Sequence, residues 1–160
     1  MSTTQSGHPQ LFEEGDIFVV PLDDGRHTLG LLARKTRSAT ALGYFFDLRI
    51  QAINAIESKA GLAASVIYVS RFSALGLRDG TWTVVGHLKN WTREEWPVPA
   101  FGHVPVHERD LPSLRSYDDR TLKFSGEEIC SKEVALKAPP DGLAGSGFIE
   151  KRLARLISTR

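Results

Sequence analysis

Hydrophobic positions alternate with polar ones over much of the chain up to Leu88, and a helical stripe of apolar residues closes it. The opening run Ile17-Phe18-Val19-Val20 is β-branched and aromatic. Pro21 withdraws a ladder donor near its end, and Asp24-Gly25 offers the left-handed backbone of a short hairpin turn. Strand, tight turn and strand follow. Thr28 to Arg34 sets Leu29, Leu31 and Ala33 on one face, and Thr40 to Leu48 sets Leu42, Tyr44 and Phe46 on one face with Phe45 on the other. The short polar link Lys35 to Ala39 suits a hairpin loop, so three strands form one curved antiparallel sheet. Ile53, Ile56 and Ala60 suggest a short helix between Ile50 and Ala64, stopped at Gly61. Ser65 to Phe72 reads as a fourth strand, with Val66, Tyr68 and Ser70 opposite Ile67, Val69 and Arg71. Thr81 to Leu88 reads as a fifth, reached through a turn at Arg78-Asp79-Gly80.

From Lys89 to Pro112 the pattern breaks. Prolines at 97, 99, 105 and 112 interrupt regular elements and exclude a central strand or a long helix. Arg120 to Phe124 is expected to be a last edge strand, and Glu133 to Gly147, with Pro139-Pro140 and three glycines, a loop. Ser146 to Ile157 then places Ile149, Leu153, Leu156 and Ile157 on one helical stripe. Ser146 serves as N-cap, Glu150 lies early, and Arg152 and Arg155 lie late, as the helix dipole favours. The predicted class is α+β: a mainly antiparallel twisted sheet or partly open barrel with a C-terminal amphipathic helix.

Composition narrows this sketch. The 160 residues, 41% of them hydrophobic, suit one domain over 11–160 that buries roughly 70% of its unfolded surface, preceded by a disordered lead-in over 1–10. A net charge of +1 lacks the basic excess of a general phosphate-backbone binder, so nucleic acid is an unlikely partner. Cys130 is the single cysteine, which rules out an internal disulfide and a thiolate zinc cluster and fits a reducing compartment. The polar start has no secretory pattern, and no stretch approaches the roughly 20 apolar residues of a membrane span. A soluble cytoplasmic protein is expected, with its oligomeric state left open.

Catalytic chemistry finds little support. His87, His103 and His107 lie near Glu108 and Asp110 in sequence, but Pro105 disfavours the helix that would bring His103 and His107 onto one face, so they read as scattered loop histidines. The paired carboxylates Glu13-Glu14, Asp23-Asp24, Glu94-Glu95, Asp118-Asp119 and Glu127-Glu128 point to opposite faces if extended, and read as solvated turns. Asp16 reads as a turn-amide acceptor. Gly142 to Gly147 is a flexible helix start rather than a phosphate loop, and Cys130, beside two glutamates, is no activated thiol. Neither a nucleophile elbow nor a helical zinc motif occurs, so no enzyme, metal or cofactor is expected.

The Trp91 to Phe101 segment is different. Tryptophans in a proline-stiffened loop are what binding hot spots use, and Trp91 and Trp96, rimmed by Arg93, Glu94 and Glu95, are candidates for partner contact. Core packing is the competing reading for both, as for Trp82 and Phe101.

Gly15-Asp16-Ile17-Phe18, Pro21-Leu22, Asp24-Gly25-Arg26 and Gly30, followed by a strand ending Phe45-Phe46-Asp47, resemble the opening of the immunity protein 26 family. Trp82 with Val85-Gly86, then Trp96-Pro97, Pro99-Ala100-Phe101 and the terminal helix extend the resemblance over most of the chain from Gly15. The family's members are predicted to neutralise toxin domains of bacterial polymorphic toxin systems, and it has no catalytic signature to carry over. The resemblance therefore implies a non-catalytic inhibitor that binds a cognate toxin domain. If that toxin is basic, the steering charge is local, at Asp23-Asp24, Glu94-Glu95 and Asp118-Asp119. The alternative is a small β-barrel binding nucleic acid through Arg34, Lys35 and Arg37 together with Lys151, Arg152 and Arg155, which requires the two clusters to converge.

Overall fold

A computed structural model describes residues 9–47, 62–107, 109–144 and 147–158. The helix expected near 50–64 falls almost wholly outside them, as do most of the lead-in and the proposed N-cap Ser146. Gln10, assigned to that lead-in, is instead tied down: its side-chain amide donates to the carbonyls of Leu77 at 2.8 Å and Trp82 at 2.6 Å.

The strands are β1 Asp16–Pro21, β2 His27–Lys35, β3 Thr40–Phe46, β4 Val66–Ser73, β5 Val84–His87, β6 Phe101–His103, β7 Ser113–Tyr117, β8 Phe124–Ile129 and β9 Leu143–Ala144. The helices are α1 Leu75–Arg78, α2 Lys132–Lys137 and α3 Phe148–Ser158, with a 3₁₀ turn at Arg93–Glu95. One sheet has the order β5-β1-β2-β3-β4-β9 and is antiparallel except where β9 joins β4; the other is the antiparallel β6-β7-β8. The class is α+β, and the larger sheet is open rather than a closed barrel.

Alternation along the strands divides the apolar side chains between two faces. Ile17, Val19, Leu29, Leu31, Ala33, Leu42 and Phe46 face one way, into a cluster completed by Trp96, Phe101 and Leu122. Phe18, Val20, Leu32, Phe45 and Phe72 face the other, against Leu77 of α1, Trp82, and Ile149 and Leu153 of α3. Both faces are thus covered, one by the proline-rich segment and the small sheet, the other by helices. On the helical side Trp82 stacks on Phe18 with centroids 5.5 Å apart and planes 7° from parallel.

Five local expectations change. Val66 and Tyr68 were expected on one face, yet Val66 joins the first cluster and Tyr68 the second, because the ladder slips by one residue where Phe45 pairs with Tyr68 and Phe46 with Val66. Such a bulge reverses side-chain parity. The fifth strand is shorter than expected, since Trp82 precedes it. Arg120 to Lys123 forms the turn before β8, and β8 starts at Phe124, where the predicted edge strand ended. The first part of the expected loop over Glu133 to Gly147 is helical: the Ser131 hydroxyl accepts from the Val134 amide at 3.1 Å and caps α2. The proline-rich stretch nonetheless holds β6, three residues long and at a sheet edge, where proline neighbours cost no central ladder bond.

Candidate partner-binding surface

The start of β1 and the far end of β2 meet the Trp91–Phe101 segment at one end of the larger sheet. Gly15 makes the junction close: its φ is +95°, and a Cβ there would lie 2.6 Å from the His87 ring and 3.0 Å from the Trp91 ring. Asp16, next in the chain, accepts from the Glu13 amide at 2.8 Å and meets His87 Nδ1 at 3.0 Å, so it is the turn-amide acceptor its position suggested and also a tie between β1 and β5.

Arg34 organises the rest. It lies within β2 and is 2% exposed. Its Nε and Nη2 donate to Asp119 Oδ1 at 3.0 and 2.7 Å, and its remaining donors reach the carbonyls of Ala33, Trp96 and Arg93 at 2.6, 3.0 and 3.2 Å. Arg93 continues the network, donating to Asp119 Oδ2 at 2.7 Å, to the Asp119 carbonyl at 2.9 Å and to Glu14. Glu14 in turn accepts from the Lys35 amide at 2.9 Å. Two guanidinium groups thus share one carboxylate, and hydrogen bonds from Arg93 and then Arg34 hold Asp119 below its ordinary 3.8. Asp118, beside it, is lowered by the Thr121 and Arg120 amides it accepts from in the β7–β8 turn.

This frame leaves Glu13, Glu94, Glu95 and Asp118 exposed around one end of the sheet together with Lys35, Arg37, Lys89 and Arg120, so the exposed charge there is mixed, and Trp91 lies half-buried beside Gly15. Glu95 accepts from the Thr92 hydroxyl at 3.1 Å. Of the residues read as partner-binding, Trp91, Glu94 and Glu95 therefore fall together. Trp96 does not join them at the surface. It is 2% exposed, edge-on to Tyr44 and Phe46 with centroids 5.1 and 6.1 Å away, and offers a partner no area as placed. Asp23 and Asp24 sit at the β1–β2 turn, the opposite end of β2, roughly 26 Å away for nine residues of strand. There Asp24 is held by Arg26 at 2.6 Å, which lowers its pKa.

The clamp was not foreseen, because Arg34 was read with Lys35 and Arg37 as a basic loop. Its signal was a cation following the apolar run Leu29 to Ala33, where only a fully partnered charge is tolerated. A second tie joins the two sheets: Asp141 accepts from the Tyr117 hydroxyl, Arg115 lies 3.3 Å away, and the Arg71 guanidinium sits 3.7 Å over the Tyr117 ring. Burial, then the Asp141 bond, pushes Tyr117 up to about 12.

One group among the described residues, Glu13, Asp16 and His87, brings three potential metal-ligand atoms within 4.8 Å of one another; His103 and His107 are not part of it. Both Asp16 oxygens already have partners within the protein, which accounts for its position without an ion.

The family profile described as Immunity protein 26 matches residues 13–106, more than half of the chain. That match begins just before the resemblance noted above and stops short of the terminal helix. No curated protein and no solved structure matches the chain.

Proposed function

The chain belongs to the immunity protein 26 family, and from that premise we propose that it neutralises a cognate bacterial toxin domain in the cytoplasm by binding it, without turnover. The observation that carries the reading to a surface is the pre-ordered, charged end built on Arg34 and Arg93. Glu13, Glu94, Glu95 and Asp118 are exposed there, beside a half-buried indole, on a frame in which Arg34 and Arg93 already hold Asp119, while the indole nitrogens of Trp91 and Trp96 are buried without a partner. A surface ordered in advance avoids part of the entropic cost of association. A contact of about 800 Å² per partner is the size expected of a stable complex. Glu94 and Glu95 would make local contacts with a basic toxin face, since Lys35, Arg37, Lys89 and Arg120 are exposed at the same end and the whole chain carries +1.

Placement of the basic residues does not favour the nucleic-acid alternative. Arg34 is buried and fully engaged, and Lys35 and Arg37 lie at the opposite end of β2 from the hairpin turn, where Arg26 reaches the Ala154 carbonyl of α3 at 3.0 Å. The described chain has no helix long and apolar enough to cross a membrane.

The direct test is co-expression with the product of the open reading frame immediately upstream in the source genome. Co-purification and protection from that product's toxicity are expected. Glu94→Lys with Glu95→Lys should slow association and flatten its salt dependence, and Trp91→Ala should weaken binding by about 1 to 3 kcal/mol. A neighbour that neither binds nor harms cells would overturn the proposal.

A further inference from the structure

The two edges of the small sheet are treated differently. Beyond β6 the chain itself closes the edge, with the Gly102 amide donating to the Pro139 carbonyl at 2.8 Å and the Asp141 amide to the Gly102 carbonyl at 2.9 Å. Beyond β8 no described strand follows, so its outward amides and carbonyls form an open template six residues long. Natural edges are usually blunted by proline, lysine or strong twist. This one has a bulge at Ser125 and the acidic pair Glu127-Glu128, yet it carries large apolar side chains in the open, Phe124 at 57% and Ile129 at 58% exposure.

Register fixes which side chains share a face. Phe124 pairs with Tyr117, Glu127 with Arg115 and Ile129 with Ser113, and the slip between Ser116 and Tyr117 absorbs Ser125. Along the open edge one face therefore reads apolar, acidic, apolar. We propose that the β8 edge receives an extended strand of the partner protein, whose matching face carries a basic residue between two apolar ones. This deepens the immunity reading and rests on it for the partner's identity. Backbone pairing would supply binding, and the side chains flanking Glu127 would supply selectivity.

A second copy of this chain fits poorly as the occupant. Glu127 accepts from the Ser113 hydroxyl at 2.6 Å and from Arg115 at 3.1 Å through Oε2 alone, which leaves Oε1 to accept from an incoming cation. Antiparallel self-pairing that sets Phe124 across from Ile129, with Ser125 bulged out, brings two such carboxylates opposite each other. A lysine or arginine in the incoming strand meets that carboxylate instead. The Asp118-Asp119 turn connects β7 to β8, so the edge runs on from the charged end proposed as the binding surface. β8 also lies outside residues 13–106, in the part of the chain the family profile does not match.

The test uses the full-length ¹⁵N-labelled protein and the blocked peptide Ser-Val-Thr-Lys-Thr-Val-Ser, with a version carrying Glu at its centre as control. The lysine peptide should shift the amide signals of residues 124–129 and bind at least about ten-fold more tightly than the control. Ile129→Lys, at an exposed position, should abolish those shifts with little change in melting temperature. Equal affinity for both peptides, shifts centred elsewhere, or a dimer of the unliganded protein that Ile129→Lys dissolves would each overturn the proposal. In the co-expression experiment, a neighbour that binds Ile129→Lys as tightly as wild type would sink the strand-addition reading alone. A neighbour that binds neither would count against the immunity reading.

Discussion

Arg34 carries its charge through the interior with every donor occupied, and a buried cation so placed is costly to orphan. Its partner Asp119 is 57% exposed, so solvent weakens the pair's electrostatic worth while geometry keeps it formed. Because the folded pKa of Asp119 is lowered, its contribution is fully present above the ordinary 3.8 and is lost as pH falls through the lower folded value. The difference in melting temperature between wild type and Asp119→Asn should accordingly be constant from neutral pH to about pH 5 and narrow in stronger acid. A difference that widens on acidification would contradict this account. The two tryptophans separate at the same scale. Trp96→Ala should cost about 3 to 5 kcal/mol in urea unfolding, and Trp91→Ala less than half of that, since its ring is only half-buried.

Helix α2 shows what a glycine decides for an element. A Cβ on Gly102 would lie 1.9 Å from the Ala135 carbonyl oxygen, so the helix backbone rests directly on β6. Gly102→Ala must push α2 away and is expected to cost roughly 1 to 3 kcal/mol, with faster hydrogen exchange at the amides of residue 102 and Asp141, which bond across this edge. The same stretch marks where sequence reading reached its limit. β1 to β4 were legible because Ile17 to Val20, Leu29 to Ala33 and Leu42 to Phe46 alternate between two buried faces, and α3 because Ile149 and Leu153 form a stripe. β7 and β8 were not, since Ser-Leu-Arg-Ser-Tyr and Phe-Ser-Gly-Glu-Glu-Ile hold residues that strands usually avoid, and their order comes from pairing rather than burial. α2 was hidden by the prolines that follow it. For the candidate surface, Glu94 and Glu95 could be read as exposed turn residues, but burial of Trp96 depends on Tyr44 and Phe46, which no local pattern places beside it.

Across the whole molecule, stability is layered. β2 and β3 lie at the centre of the larger sheet with apolar cover on both faces, whereas β8 has solvent along its edge. Amide exchange should therefore be slowest in Leu29 to Ala33 and Ala41 to Phe46 and fastest among the strands in Phe124 to Ile129. Comparable protection in β8 would mean that its edge is already occupied. The clamp adds a constraint of timing. Asp119 follows Arg34 by 85 residues, and at about 5 to 20 residues per second a ribosome needs roughly 4 to 17 s to supply the second after the first. Until then Arg34 and Arg93 lack the carboxylate they share. The charged end is therefore completed only late in synthesis, so on the proposed reading protection would be counted from finished molecules rather than from those still being made.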